Sequence, residues 1–286
     1  MARLLQGETR KNLVFLIEIS NLIRCLLKKT KGEVLVEKEQ NEKEKVYIVC
    51  FSGGKDSTAM LFKLIENNYP ITDIICCDTS VEWPEMYEHI KKVEEKIAPL
   101  KITHFKNEKD FNYFMTQHVI TRGPRKGAIG YGWPSMRNRW CTKNLKEGLV
   151  DKYVAEKYPA DKYHVIRYIG IATDEANRTR EDDHKLYPLL DFNMAEKDCL
   201  EYCYSLGFNW GGLYEVYPRL SCWCCPLQRI KNLEWLYYNR PQLWQQLREW
   251  DKYSHRDFRL DYTLEQLEER FEKNRHKYEK NDDDAE

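Results

Sequence analysis

An α/β fold built on one parallel sheet, with helices added at both ends of the chain, is what the sequence predicts. Three observations carry that expectation. Short continuous apolar runs, VYIVCF at 46–51 and TDIICC at 72–77, suit strands buried on both faces. Segments of helical period separate these runs, and strand–helix–strand–helix order implies parallel pairing through crossover helices. The length of 286 residues exceeds one small domain and falls short of two full ones, so one core with helical additions is expected.

Each element has its own local reason. Residues 10–29 set Leu13, Ile17, Leu22 and Leu26 near one stripe, as an amphipathic helix requires. Residues 28–45 are dense in charge and read as a linker or exposed turn. After the first strand, residues 56–67 alternate at helical period. The second strand follows at 72–77, a helix at 85–97 and a third strand at 101–105. Residues 118–140 are rich in Gly, Pro and Arg and form a long loop, a kind of segment that is often functional. A helix at 144–158, a strand at 164–171 and a helix at 193–206, capped by Asp191 or Asn193, continue the alternation. A Gly-, aromatic- and Cys-rich loop spans 210–226. Helical pattern resumes from Leu227, and the tail NDDDAE has the composition of a disordered segment. No internal repeat is present.

Lys plus Arg and Asp plus Glu both number 46, which excludes the strongly basic composition typical of many nucleic-acid binders. A local basic patch remains at Arg122, Arg125, Lys126, Arg137, Arg139 and Lys143. It suits the phosphates of a small nucleotide or contact with nucleic acid. No run of about 18 apolar residues marks a membrane helix, and the first twenty residues lack the order of a signal peptide. Ten cysteines without that signal imply a reducing compartment, expected to be the cytoplasm, where thiols are buried, metal-bound or reactive. The His residues show no zinc-hydrolase spacing.

Ser52-Gly53-Gly54-Lys55-Asp56-Ser57 follows the first strand directly and opens a helix. The glycines let the backbone turn sharply, and the first helical N–H groups together with the helix dipole make an anion site. Ser52 and Ser57 add hydroxyls, and Lys55 adds charge. Asp56 would repel phosphate, so it is expected to orient the loop or help hold Mg²⁺. The spacing differs from the Walker A loop.

This hexapeptide resembles the SGGKDS signature of the PP-loop ATP pyrophosphatases. Four further stretches resemble the PAPS reductase branch of that superfamily. Asp78 to Glu85 is similar to the branch's D-T-x-x-x-F-P-E. Gly170 to Arg178 is similar to G-x-R-x-x-E-S-x-x-R, with Ala172 and Ala176 in place of Arg and Ser. Tyr187 to Phe192 resembles P-L-x-D-W. Gly207 to Tyr214 resembles G-L-x-x-N-P-L-Y, with Gly212 in place of Pro. The likeness covers roughly residues 44–231. It implies a Rossmann-like, adenine nucleotide α-hydrolase-type fold, flanked by an N-terminal helical extension (1–43) and a C-terminal helical region (232–286). It further implies that Asp78 and Thr79 border the nucleotide, with Asp174, Glu175 and Arg178 near the same crevice.

Cys141 and the Cys222/Cys225 pair match three of the four positions that hold a [4Fe–4S] cluster in the related APS reductases; Trp140 stands at the fourth. Cys224 is the remaining candidate ligand, and zinc is the alternative metal. The E-C-G-[IL]-H nucleophile motif of sulfonucleotide reductases is missing, since no Cys follows Cys225.

These readings converge on an enzyme that binds ATP, or a related adenine nucleotide, with Mg²⁺. It would cleave the α,β bond to adenylate an acceptor, with sulfur transfer as a further step. Lys55, Asp56 and Arg178 are the expected catalytic residues. The acceptor stays open among tRNA, DNA and a small metabolite. A sulfonucleotide reductase using an external thiol, and a nucleotide-binding subunit that meets other chains through its C-terminal aromatic helices, stand as alternatives, and homo-oligomer formation through those helices is left open.

Overall fold

The computed structural model describes residues 43–275. The expected helix at 10–29, Cys25, most of the charged stretch at 28–45 and the acidic tail lie outside the described residues.

Strands β1 (Glu44–Cys50), β2 (Asp73–Asp78), β3 (Ile102–Lys106), β4 (Tyr163–Tyr168) and β5 (Lys185–Leu186) pair in the order β3-β2-β1-β4-β5. Every pairing is parallel, as expected for strands joined by crossovers. β1 is central and buries both faces, with period two. Val46 and Ile48 pack with Ile75, Val150 and Tyr158 on one side, and Val49 joins the larger core on the other.

The helices are α1 (Lys55–Glu66), α2 (Pro84–Ile97), α3 (Phe111–Thr116), α4 (Gly148–Lys157), α5 (Glu196–Ser205), α6 (Ile230–Asn239), α7 (Pro241–Asp251) and α8 (Leu264–Glu272). The larger core runs without a break from Leu61, Val93 and Cys203 into Leu236, Trp244, Leu247 and Phe271. The C-terminal aromatics Trp244 and Trp250 are therefore packing residues, while Tyr253 stays exposed. Among the described residues, no helix is long and apolar enough to cross a membrane.

Local details differ from the sequence expectation for physical reasons. The helix expected at 144–158 begins with a turn at Trp140–Thr142 and a π turn at Lys143–Glu147 before α4. α5 is not capped by Asp191 or Asn193; Asn193 has φ +51°. Its first amides instead reach the Asp198 carboxylate, 2.8 Å from the Ala195 N–H, and Asp174 Oδ1, 3.1 Å from the Glu196 N–H. Within the expected loop at 210–226, short helical turns form at Trp210–Gly212 and Leu213–Val216.

Candidate nucleotide site

The strand order reverses at β1. Its crossover through α1 leads to β2 on one side, while β4 lies on the other. In open parallel sheets the crevice at the carboxyl ends beside such a reversal is the place for a ligand. Residues 52–54 occupy that point and lead into α1. Gly53 has φ +78°, and a Cβ there would lie 2.5 Å from Met86 Sδ, so the turn requires glycine. Gly170, just past β4, is also close-packed: a Cβ would sit 3.1 Å from the Ser57 nitrogen. Strand β4 thus abuts the first turn of α1 with no side chain between them.

The N–H groups of Gly54, Asp56 and Ser57 have no hydrogen-bond acceptor among the described residues. The loop is braced through hydroxyls. The Ser52 N–H donates to Ser57 Oγ at 3.2 Å, the two Ser hydroxyls lie 3.0 Å apart, and Ser57 Oγ donates to the Gly54 carbonyl. Free amides at a helix N-terminus, beside hydroxyls, are the elements of a phosphate cradle.

Lys55 is buried, and its ammonium is engaged by carboxylates: Asp56 Oδ1 at 2.9 Å and Glu196 Oε2 at 2.6 Å. Burial works against its charge, but Asp56 and Glu196 overcome this and raise its pKa. The Asp56 carboxyl is raised above its ordinary range by burial, which Lys55 only partly offsets and which Glu196 and Glu175 reinforce. The expectation that Lys55 offers its charge to an anion therefore needs the ammonium to exchange partners.

Two residues that sequence reasoning assigned no role hold the loop from behind. The buried Tyr214 hydroxyl accepts the Lys55 N–H at 2.8 Å, and Trp210 Nε1 donates to the Gly53 carbonyl at 2.8 Å. The only signal for them was the likeness of Gly207–Tyr214 to a family turn.

Asp78 ends β2 and lines a cavity of about 240 Å³ together with Ser52; Thr79 follows it directly. Asp78 is committed to its own neighbourhood: Oδ1 accepts from the Ser80 N–H at 2.7 Å and the Tyr87 hydroxyl at 2.8 Å, and Oδ2 pairs with Lys106 at 2.8 Å. Burial opposes the shift, yet Lys106, Ser80 and Tyr87 together hold its pKa below the usual carboxylate range. Thr79 donates to Glu82 at 2.8 Å, and Lys146 lies 3.4 Å from the same oxygen. Asp174, Glu175 and Arg178 sit in a 3₁₀ turn at Thr173–Arg178. Asp174 serves as a helix cap for α5, and Glu175 is held by Arg178 and, at 2.7 Å, by Arg219. Arg178 is half-exposed and points its guanidinium at Glu175.

Cys141, Cys222, Cys224 and Cys225 share one neighbourhood and feel one another electrostatically. Among the described residues, however, no three or more His, Cys, Asp or Glu side chains are placed to hold a metal. Burial raises the pKa of all four thiols. Cys222 Sγ donates to Glu82 at 3.6 Å. Mg²⁺ usually needs only one or two protein carboxylates when a substrate's phosphates supply the rest.

Residues 46–125 match the family model described as the phosphoadenosine phosphosulfate reductase domain. The match includes the loop at 52–57 and the stretch after β2, and ends before Cys141. An uncharacterised protein of Methanocaldococcus jannaschii is 25% identical over 212 residues, covering 71% of this chain and 40% of that protein. The chain thus spans well under half the length of that relative.

Proposed function

We propose, on the premise that residues 46–125 are a phosphoadenosine phosphosulfate reductase domain of the PP-loop superfamily, that the chain cleaves ATP between the α- and β-phosphates to adenylate an acceptor. The observation that carries this reading is the loop at 52–57: unpartnered amides at the start of α1, at the strand-order reversal. They suit the β- and γ-phosphates, and the helix dipole favours the charge that builds on them. An acceptor oxygen attacks the α-phosphorus. The new O–P bond forms as the bond to the bridging oxygen breaks, the electron pair leaves with pyrophosphate, and the acceptor proton passes to solvent. Mg²⁺ held by the phosphates and Asp56 would neutralise the leaving group. Glu196 then has a role as the alternative partner of Lys55, keeping the ammonium beside the loop. Sulfur transfer would be a second displacement, with an external sulfur donor expelling AMP.

The test is pyrophosphate release from ATP by the full-length protein, with Gly53→Ala as comparison. Wild type is expected to release pyrophosphate. Gly53→Ala should lose at least tenfold, because the new methyl meets Met86. Sulfite release from APS or PAPS with an added thiol would overturn the reading in favour of a reductase. ATP binding with neither product would make the chain a nucleotide-binding subunit.

A further inference from the structure

From Phe111 to Lys146 the sequence contains no Asp or Glu but seven Lys or Arg residues. In a chain whose formal net charge is zero, this is a strong segregation of charge. Six of the seven, Arg122, Arg125, Lys126, Arg137, Arg139 and Lys143, make no ion pair and no side-chain hydrogen bond among the described residues; Lys146 alone is paired, with Glu82. Exposed cations are commonplace on protein surfaces, so exposure alone argues nothing. Arg125 is different. Its Nη1 is buried without any hydrogen-bond partner, and a buried guanidinium donor left unsatisfied is costly and calls for a missing partner.

A second arginine lies near enough to Arg125 to feel its charge. Arg256, from the segment after α7, has no carboxylate partner among the described residues. Its contacts are weak and neutral: Ser135 Oγ at 3.4 Å and His255 Nε2 at 3.3 Å. Burial and the nearby charge of Arg125 both depress its guanidinium. Two neighbouring arginines with no carboxylate in ion-pair contact among the described residues form a site lacking its anion. Arg256 also lines a cleft of about 650 Å³ with Ser135, Met136 and Leu227. Asp257 and Asp261 line the same cleft, and Asp261 is already paired with Arg259. Pro226 and Leu227, on its wall, directly follow Cys225.

We propose that the segment Arg122–Lys143, together with Arg256, is a docking face for the phosphodiester backbone of a nucleic acid, which carries the acceptor group. This rests on the reading above that the chain acts on an acceptor from outside. The number of unpaired cations and their spread over two separate segments exceed what one mononucleotide needs, and the amides at 52–57 already offer a site for such a ligand. A polyanion satisfies all of them at once, by releasing its counterions.

The experiment is fluorescence anisotropy of full-length protein with labelled single-stranded RNA and duplex DNA of about 20 nucleotides, titrated across salt. Variants are Arg122→Gln/Lys126→Gln, both exposed, and Arg125→Gln/Arg256→Gln, with thermal melts to check folding. Wild type should bind with an affinity that falls steeply with salt. Each pair should cost about tenfold and reduce the slope of log affinity against log salt by roughly 1.5, two phosphate contacts' worth. The exposed pair keeps the test decisive if the half-buried Arg125/Arg256 pair fails to fold. ATP binding, measured separately, should be unchanged in the exposed pair, so failure of the nucleotide reading and failure of this one are distinguishable. Oligonucleotide binding no tighter than that of inorganic phosphate, or equal affinity and slope in wild type and the exposed pair, would overturn the proposal.

Discussion

His89 is neutral because of where it sits. It is 2% exposed, its Nε2 lies 3.0 Å from Thr58 Oγ1, and its ring packs 4.2 Å from that of Trp210. Burial first, and Lys92 second, push its pKa down to about 3. The unfolded chain would take up a proton near pH 6.5. Between those limits the unfolded state binds more protons, so stability is complete above about pH 6.5 and declines as pH falls towards 3, by at most about 1.4 kcal/mol per unit. Urea melts from pH 7.5 to 4.5 should show this slope, and His89→Gln should flatten it; an unchanged slope would assign it to other groups. His89 is tied to the nucleotide loop, because Trp210 is its stacking partner and also holds the Gly53 carbonyl. At this scale the motif 52–57 was legible, since six adjacent residues carry their own chemistry. The partners of Lys55 were not: Glu196 and Tyr214 lie 141 and 159 residues away, and no local pattern signals such contacts.

Elements were recognisable where composition and period agreed. β1 and β2 are apolar runs long enough to leave no other reading. β5 has two residues and no period to detect. α3 escaped notice for a similar reason, being only six residues long and started by the Asp110 side chain, which accepts the Tyr113 N–H at 2.8 Å. Asp73 shows how an element's first residue can fasten its neighbours. It opens β2 and accepts from Tyr153 of α4 at 2.5 Å, Lys157 at 2.9 Å and Thr103 of β3 at 3.0 Å. Burial opposes its charge, but these bonds hold its pKa below the ordinary value. Its stabilisation is therefore complete above about pH 3.9, the unfolded value, and is lost as pH falls through the lower folded one. Asp73→Asn should cost about 1–3 kcal/mol at pH 7, with the difference from wild type shrinking in acid; urea midpoints at pH 7 and pH 3 would measure it.

The molecule as a whole holds together through an apolar core that does not stop at residue 231. Leu233, Leu236, Trp244, Leu247, Trp250, Leu267 and Phe271 are buried in it. At about 1.5–3 kcal/mol for each large side chain, their summed loss of about 10–21 kcal/mol matches or exceeds the roughly 5–15 kcal/mol of net stability typical of a domain. A chain ending at residue 231 is thus expected to lose its cooperative thermal transition, and calorimetry showing a sharp melt for that fragment would contradict this. The fold class was legible from the alternation of strands and helices. Where the C-terminal helices would pack was not, because an amphipathic stripe reveals that it must be covered but not by what. The central place of β1 has a consequence in time. Its partner β4 is encoded roughly 120 residues later, and at about 5–20 residues per second a ribosome needs roughly 6–24 s to supply it. Through that interval one edge of the most apolar strand in the nascent chain lacks its partner. Synthesis speed and chaperone capture, more than equilibrium stability, would then set how much protein reaches the folded state.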